Sequence, residues 1–221
     1  MRLKGLLRGV EYHDDTSLAS ILPGTDWQSV YEYLDVINKG VSGGRQGEVG
    51  VGGFLLGGGF SHYLYRDGMS CDNIRQFEVV LANGTIVEAN ADQHVDLFKV
   101  LKGGGSNFGI VTRFDVQAFD TRPIWRSAKN YKEDAGESMI GALKRFTDAI
   151  EGYQNGSAVV SWNYIPANGE IRISNSLNDV SGVEAHPVYE ELYSIPGEVS
   201  GMVEWTNMSK LALENLPRGY R

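Results

Sequence analysis

A single cysteine, Cys71, stands in 221 residues, so the chain cannot form an internal disulfide. Alone it reads as a small buried hydrophobe rather than a redox thiol. The four histidines, His13, His62, His94 and His186, are scattered without metal-ligand spacing, so no metal site is expected. Positive charge is also scarce: 20 Lys and Arg face 28 Asp and Glu, a formal charge of −8, which is the reverse of the basic stripe a nucleic-acid surface requires. No run approaches the ~18 apolar residues of a membrane span. The basic start, Met1 to Val10, lacks the uninterrupted apolar stretch of a secretory leader. Neither nucleic acid nor membrane is therefore expected as a partner, and no compartment is assigned. Asn83, Asn155 and Asn207 begin Asn-x-Ser/Thr sequons.

Glycine is abundant where these are scarce. The run from Val49 to Ser61 holds six glycines in thirteen residues, and a second cluster, Gly103-Gly104-Gly105-Ser106-Asn107-Phe108-Gly109, follows. Glycines of this density serve turns and bulges in loop-rich β proteins. They also leave bare N–H groups that can touch an anionic ligand. Two clusters together favour a ligand site. It is not a dinucleotide fingerprint, because the position needing the third glycine is Leu55 when counting from Gly50 and Phe108 when counting from Gly103. Nor is it a P-loop, because Gly57 is followed by Gly58 and Gly59 rather than Lys-Ser/Thr.

Local patterns give an α+β reading. Asp26 caps a helix over Trp27 to Val36, with Val30, Tyr33, Leu34 and Ile37 at spacings of three and four. Val79 to Ala82, Asn83-Gly84 and Thr85 to Glu88 read as a hairpin with a type I′ turn. A short helix over Asp92 to Leu101 and a strand over Ile110 to Phe119 follow. Beyond Thr121-Arg122-Pro123 the glycine clusters cease. A helix from Glu133 or Asp134 to about Glu151 carries Met139, Ile140, Leu143, Phe146 and Ile150, a stripe that reads as core. Strands at Ala158 to Ile165 and Glu170 to Asn178 are joined by Pro166-Ala167-Asn168-Gly169. The domain boundary is placed near residue 121.

Several ordered blocks carry a family resemblance: Pro23 to Trp27, Val41 to Arg45, Val49 to Ser61, Gly68 to Asn73, Phe77 to Asn90, and Asp96 to Phe114. They resemble the FAD-linked oxidoreductases of the vanillyl-alcohol oxidase and p-cresol methylhydroxylase (PCMH) type, and most of all their berberine-bridge-like branch, fungal members included. The resemblance is dense over about residues 20–120. It implies the second lobe of a PCMH-type FAD-binding domain over residues 1–120, then the start of an antiparallel-sheet substrate domain over 121–221. It implies FAD contacts, largely through main chain, at Val49, Gly50, Gly52, Gly53, Gly57, Gly58, Gly59 and Ser61, with Ile110 and Val111 near the adenine end.

Three departures limit what carries over. Relatives have an N-terminal lobe with an Arg-Ser-Gly-Gly-His-like loop, and Met1 to Leu22 contains none; His13 reads as a solvated loop residue. Gln46 occupies the place of the cysteine that the bicovalent branch uses, so FAD is expected to be non-covalent. Relatives also continue past the point matching Arg221, into a segment that brings tyrosine and asparagine to the cofactor, while this chain stops at Leu216 to Arg221. The chain thus reads as truncated at both ends.

The resemblance implies an FAD-dependent oxidoreductase or oxidase in secondary-metabolite biosynthesis. A small organic substrate would give hydride to flavin, which dioxygen would reoxidise. The alternative is a shortened, non-catalytic relative with weak or no FAD binding. No general base is assigned. His62 and Tyr65 lie just beyond the glycine run and read as shaping rather than catalytic; Asp72 and Asn73 read as turn residues, and Lys102 as a solvated cation at a helix end.

Overall fold

A computed structural model describes residues 7–214; the basic start at 1–6 and the tail at 215–221 lie outside the described residues. The packing divides into two units, one formed by residues 7–121 with 208–214 and one by 122–207.

In the first unit Asp26 remains extended while its carboxylate accepts the Ser29 N–H at 3.0 Å, satisfying an orphan donor at the start of α1 (Trp27–Val36). The helix buries Trp27, Val30, Tyr31 and Leu34, a stripe at i, i+3, i+4 and i+7. This corrects the sequence stripe, since Tyr33 and Ile37 are 41% and 39% exposed. Trp27 sets the phase: its ring lies against the backbone of Gly43 and Gly44, where an added Cβ would collide with it.

Six strands form the sheet of this unit: β1 (Val10–His13), β2 (Leu18–Ile21), β3 (Lys39–Val41), β4 (Ile74–Val80), β5 (Ile86–Asn90) and β6 (Ile110–Asp120). Their order is β1-β2-β6-β4-β5, β3 also pairs with β6, and every pairing is antiparallel. Alternation puts Ala19, Ile21, Phe77, Val79, Ala89, Phe114 and Val116 in the core. Phe77 sits opposite Phe114 with ring centroids 5.7 Å apart, edge to face, a geometry aromatic pairs favour. The other face is polar. Asp115 accepts from Ser20 Oγ (2.6 Å), Gln76 Nε2 (3.2 Å) and Arg113 Nε (3.0 Å), and Arg113 also reaches Glu78 and Glu88. His13 belongs to this network, with Nε2 3.0 Å from Ser20 Oγ, and is not the solvated loop residue expected.

Short helices fill the connections: α2 (Val51–Leu56), α3 (Leu64–Asp67) and α4 (Val95–Leu101). α4 starts three residues later than the sequence pattern indicates, because the Asn90 side chain accepts the N–H groups of Asp92 and Gln93 and holds them in a turn. The β4–β5 hairpin forms, but not through a type I′ turn. Only Gly84 has positive φ (+81°), and Gly84 N–H bonds to Leu81 O while Leu81 N–H bonds to Thr85 O, the pattern of a type I turn closed by a glycine bulge.

The second unit is a four-stranded antiparallel sheet, assembled from β7 (Ile124–Lys132), β8 (Gly156–Ile165), β9 (Glu170–Asp179) and β10 (Glu198–Thr206) in the order β10-β7-β9-β8. α5 (Gly136–Ala149) and α6 (Glu190–Tyr193) pack into its core, which gathers Trp125, Tyr131, Met139, Phe146, Ile173, Leu177, Tyr189 and Leu192. Ile140, expected in the stripe of α5, is 60% exposed; Ala142 takes its place inside.

α7 (Met208–Glu214) packs with the first unit. Asp35 in α1 accepts the Ser209 N–H at 2.9 Å, and Ala212 O accepts the Gly47 N–H at 3.0 Å, while Met208, Leu211 and Ala212 are buried. Within the stretch 121–221 expected as the second domain, the last described helix therefore belongs with the first unit.

Candidate functional site

Within the first unit the backbone ties the glycine run to the start of α1. An isolated antiparallel bridge joins Asp26 to Gly50, with Trp27 N–H bonded to Val49 O (3.1 Å) and Val51 N–H to Thr25 O (2.9 Å). Gly52 N–H reaches Pro23 O at 3.4 Å. The second glycine cluster meets the first where Gly105 N–H bonds to Leu56 O at 2.9 Å. A cleft of about 500 Å³ opens between these segments, within the size range of small-molecule sites.

Gly50, Gly52, Gly53 and Leu56 form one wall of the cleft, and Gly109, Ile110, Val111 and Phe114 another. Pro23 to Asp26, Glu48 and Ser106 complete it. The glycines on this wall differ in what they exclude. A Cβ on Gly50 or Gly53 would meet no protein atom within 4 Å, so a side chain there would project into open space. A Cβ on Gly52 would come within 3.2 Å of Pro23. At Gly50 and Gly53 the protein's own packing does not demand glycine, and the space kept free lies along the cleft.

Five of the ten expected contact residues, Gly50, Gly52, Gly53, Ile110 and Val111, are brought together here. Val49, Gly57, Gly58, Gly59 and Ser61 do not line the cleft. Gly58 and Gly59 have φ of +98° and +81°, and a Cβ would fall 2.5 Å from Met69 Cε at the first and into the Phe54 ring at the second. Their carbonyls accept the N–H groups of Cys71 and Ser70. The turn itself therefore requires glycine at both positions. Ser61 Oγ accepts the Tyr63 N–H at 3.2 Å, a local turn bond. Pro23, Gly24, Thr25, Asp26, Glu48, Leu56, Ser106 and Phe114 were not anticipated as lining. Pro-Gly-Thr-Asp before a helix was the available signal, but it read as a cap and as one block of the family resemblance, not as lining.

The remaining reactive residues lie elsewhere. His62 is buried and Tyr65 is 40% exposed, and neither lines the cleft. Cys71 is buried, and burial followed by the neighbouring Asp72 pushes its thiol pKa up, away from thiolate reactivity. The Asp72 carboxylate accepts the Met69 N–H and Asn73 donates to Asp67 O and Met69 O, so both fix a turn. Lys102 is not simply solvated: its Nζ donates to Asp72 O and lies 4.3 Å from the centroid of the Phe98 ring, and burial lowers its pKa. Among the described residues no group of three or more His, Cys, Asp or Glu could hold a metal ion, and no helix is long and apolar enough to cross a membrane. A larger cleft, about 580 Å³, lies beside His13, Arg113 and Asp115. Its Arg113 and Asp115 already pair with each other, and it lacks a wall of open glycines.

The cleft suits a ligand with a flat apolar part and a chain slim enough to lie along bare backbone. Ile110 and Leu56 offer apolar surface to a ring, and the bare backbone at Gly50 and Gly53 admits a slim chain without a steric barrier. A dinucleotide cofactor such as FAD meets that description.

Comparison with known proteins agrees. Residues 1–90 match the family described as an FAD binding domain. The chain is 37% identical over 203 residues to the FAD-dependent monooxygenase drtC of Aspergillus calidoustus, an alignment covering 92% of this chain and 39% of that protein. It is 39% identical over 213 residues to the FAD-dependent monooxygenase sdcF of Emericella nidulans, covering 95% of this chain and 44% of the relative. It thus spans about two-fifths of the length of these curated relatives. Among solved structures, 6-hydroxy-D-nicotine oxidase from Arthrobacter nicotinovorans superposes with a TM-score of 0.82 at 21% identity, over 96% of this chain and 46% of that one. The BBE-like 1 protein of Physcomitrella patens gives 0.78, also at 21% identity, over 96% and 47%. The α+β fold with antiparallel sheets is that of the PCMH-type flavoproteins; residues 1–90 match an FAD binding domain, and over more than nine-tenths of its length the chain is similar to FAD-dependent monooxygenases, with FAD as its cofactor.

Proposed function

We propose that the cleft walled by Gly50, Gly52, Gly53, Ile110 and Val111 holds FAD without a covalent bond. The reading is carried by Gly50 and Gly53, where glycine is not required by the protein's packing and a side chain would enter the cleft. Leu56 and Ile110 would hold the ring portion in apolar contact, and the Gly50–Gly53 backbone would lie against the pyrophosphate and its sugar chain. Val49, Gly57, Gly58, Gly59 and Ser61 would keep the run in shape or meet cofactor beyond the cleft. Non-covalent binding follows from Gln46 at the position that carries cysteine in the bicovalent branch, and from Cys71 being buried elsewhere.

Bound there, FAD would accept a hydride from a small organic substrate and pass the electrons to dioxygen. Relatives are named monooxygenases and structural neighbours oxidases, and both names denote dioxygen chemistry. The substrate class we propose is a secondary metabolite with an alcohol, amine or benzylic C–H. Residues 1–120 would serve the cofactor and 121–221 the substrate portion, with α7 packed in the first unit. The protein's part is orientation and exclusion of side reactions; no described side chain is assigned as general base.

The test is gel filtration of the chain with FAD, followed by visible spectra before and after dithionite. A protein peak carrying a bleachable flavin band is expected. Gly53→Val should remove that band while leaving the circular dichroism and the melting temperature nearly unchanged. A Gly53→Val protein that retains FAD would overturn the assignment.

A further inference from the structure

Asp35 stands where its own helix disfavours it. It lies in the last turn of α1, at the end that carries partial negative charge, and no basic residue in that turn offsets it. Its carboxylate instead meets the start of α7 and accepts the Ser209 N–H at 2.9 Å, across 174 residues of chain. That N–H is one of the donors a helix leaves unpaired in its first turn. Farther along α7, Ala212 O accepts the Gly47 N–H at 3.0 Å, and Gly47 O accepts the Gln28 N–H of α1 at 2.9 Å. Gly47 is therefore held between α1 and α7, and a Cβ on it would lie 3.0 Å from Gln28 Cβ. Glu48 and Gly50, which line the cleft, follow directly.

We propose that α7 sets the position of the cofactor wall, and that Asp35 is the positioning residue that docks it. The inference rests on the reading of the cleft as the FAD site and adds an element outside it, since Asp35, Ser209, Ala212 and Gly47 do not line the cleft. The path has three links: Asp35 carboxylate to Ser209 N–H, Ala212 O to Gly47 N–H, and the chain from Gly47 to Gly50. The same segment is fixed separately by Trp27 N–H on Val49 O and by the bridge between Asp26 and Gly50. With α7 docked, residues 47–50 are held from both helices and the wall is ordered before ligand arrives, so FAD does not have to order it on binding. With α7 released, the Gly47 N–H loses its acceptor and the segment is held from α1 alone. Asn207 alone separates β10 from α7, so this grip is supplied by chain that has already passed through the second unit.

Amide hydrogen exchange of the full chain without flavin tests the coupling. Asp35→Ala should speed exchange in residues 208–214 and 47–53 together while β4 and β6 keep their protection. Asp35→Asn, which still offers an acceptor oxygen, should restore both segments. FAD titration followed by flavin fluorescence should show Asp35→Ala binding roughly fivefold more weakly, the size of one lost cap, with Asp35→Asn close to wild type. Leu211→Ala removes a fully buried side chain of α7 and leaves its hydrogen bonds in place, and it should move both readouts in the same direction. The proposal is overturned by faster exchange confined to 208–214, by faster exchange throughout the first unit, by unchanged FAD affinity in Asp35→Ala, or by a Leu211→Ala chain that matches wild type in both readouts. The underlying reading fails differently: a Gly53→Val chain that keeps its FAD removes the cleft as the site, whereas the exchange pattern is read with no flavin present and still decides whether α7 holds the wall.

Discussion

The two units both bury one face of an antiparallel sheet, yet they differ in how much glycine they use and in what borders it. Nineteen of the chain's 28 glycines lie before residue 122, and eight lie between 122 and 207. In the second unit Gly156 sits where a Cβ would press on the Tyr189 hydroxyl at 3.0 Å, which is a packing requirement. In the first unit Gly58 and Gly59 are likewise demanded by the turn, but Gly50 and Gly53 face open space along a cleft. What separates a ligand wall from a tight corner is where an added Cβ would go, not how many glycines are present.

The strongest way to break this distinction is to substitute both kinds of glycine. Gly59→Val must place a branched residue at positive φ and drive it into the Phe54 ring, so a loss of about 3–5 kcal/mol is expected, measured by denaturant titration. Gly53→Val should leave that titration almost unmoved and act on flavin binding alone. Equal destabilisation by the two would erase the difference between turn and wall.

In the second unit the comparable loss comes from side chains. Phe146 is 3% exposed and stacks on Tyr189 with centroids 5.6 Å apart. Phe146→Ala should cost about 3–5 kcal/mol, read from the shift in the urea midpoint at constant slope. A loss below 1 kcal/mol, on the order of a surface change, would show that this core is not the unit's support.

Asp26 offers a smaller and more local perturbation. Its carboxylate caps α1 and also pairs with Arg8 at 2.6 Å, an ion pair whose members are partly exposed and which adds little. Asp26→Ala should therefore cost about 1 kcal/mol, with Asp26→Asn recovering most of it. Failure of asparagine to rescue would mean that charge rather than the cap holds the helix start.

Tyr131 gives the smallest effect at neutral pH and a distinct one in alkali. Its hydroxyl is buried without a hydrogen-bond partner among the described residues. Burial first, then Glu198 and Tyr193, push its phenol up to about 12. The folded pKa lies above the unfolded value of about 10. The stability tied to the neutral phenol is therefore complete below pH ~10 and lost as pH rises through 12. Tyr131→Phe should be neutral to about 1 kcal/mol stabilising at pH 7 and should flatten the alkaline limb, monitored by circular dichroism from neutral pH upward. An unchanged alkaline limb would assign the sensitivity to other tyrosines.

Much of the fold was legible locally. The Asp26 cap, the α5 stripe, the β8–β9 hairpin and the β6 strand are each set by residues close together in sequence, through capping, period and turn chemistry. The misses share a cause. Tyr33 and Ile37 fit the helical period of α1 as well as Trp27 and Tyr31 do, and only the packing of Trp27 on Gly43 and Gly44 decides the phase. β7 and β10 mix apolar and charged residues, so their pairing is visible only once both strands are side by side. His13 looked solvated because its partner Ser20, which in turn donates to Asp115, is contributed by another strand.

The candidate site divides along the same line. From its order of residues alone the chain declared two glycine clusters, no Rossmann or P-loop pattern, and a set of blocks resembling FAD-linked oxidoreductases. Those are properties of residue identity and spacing. Which glycines border a cleft, that Pro23 to Asp26 completes it, and that α7 returns to bond Gly47 were decided by tertiary structure. The physical reason is that a glycine carries no side chain to announce its surroundings; whether it admits a ligand or merely clears a neighbour depends on atoms supplied from elsewhere in the chain.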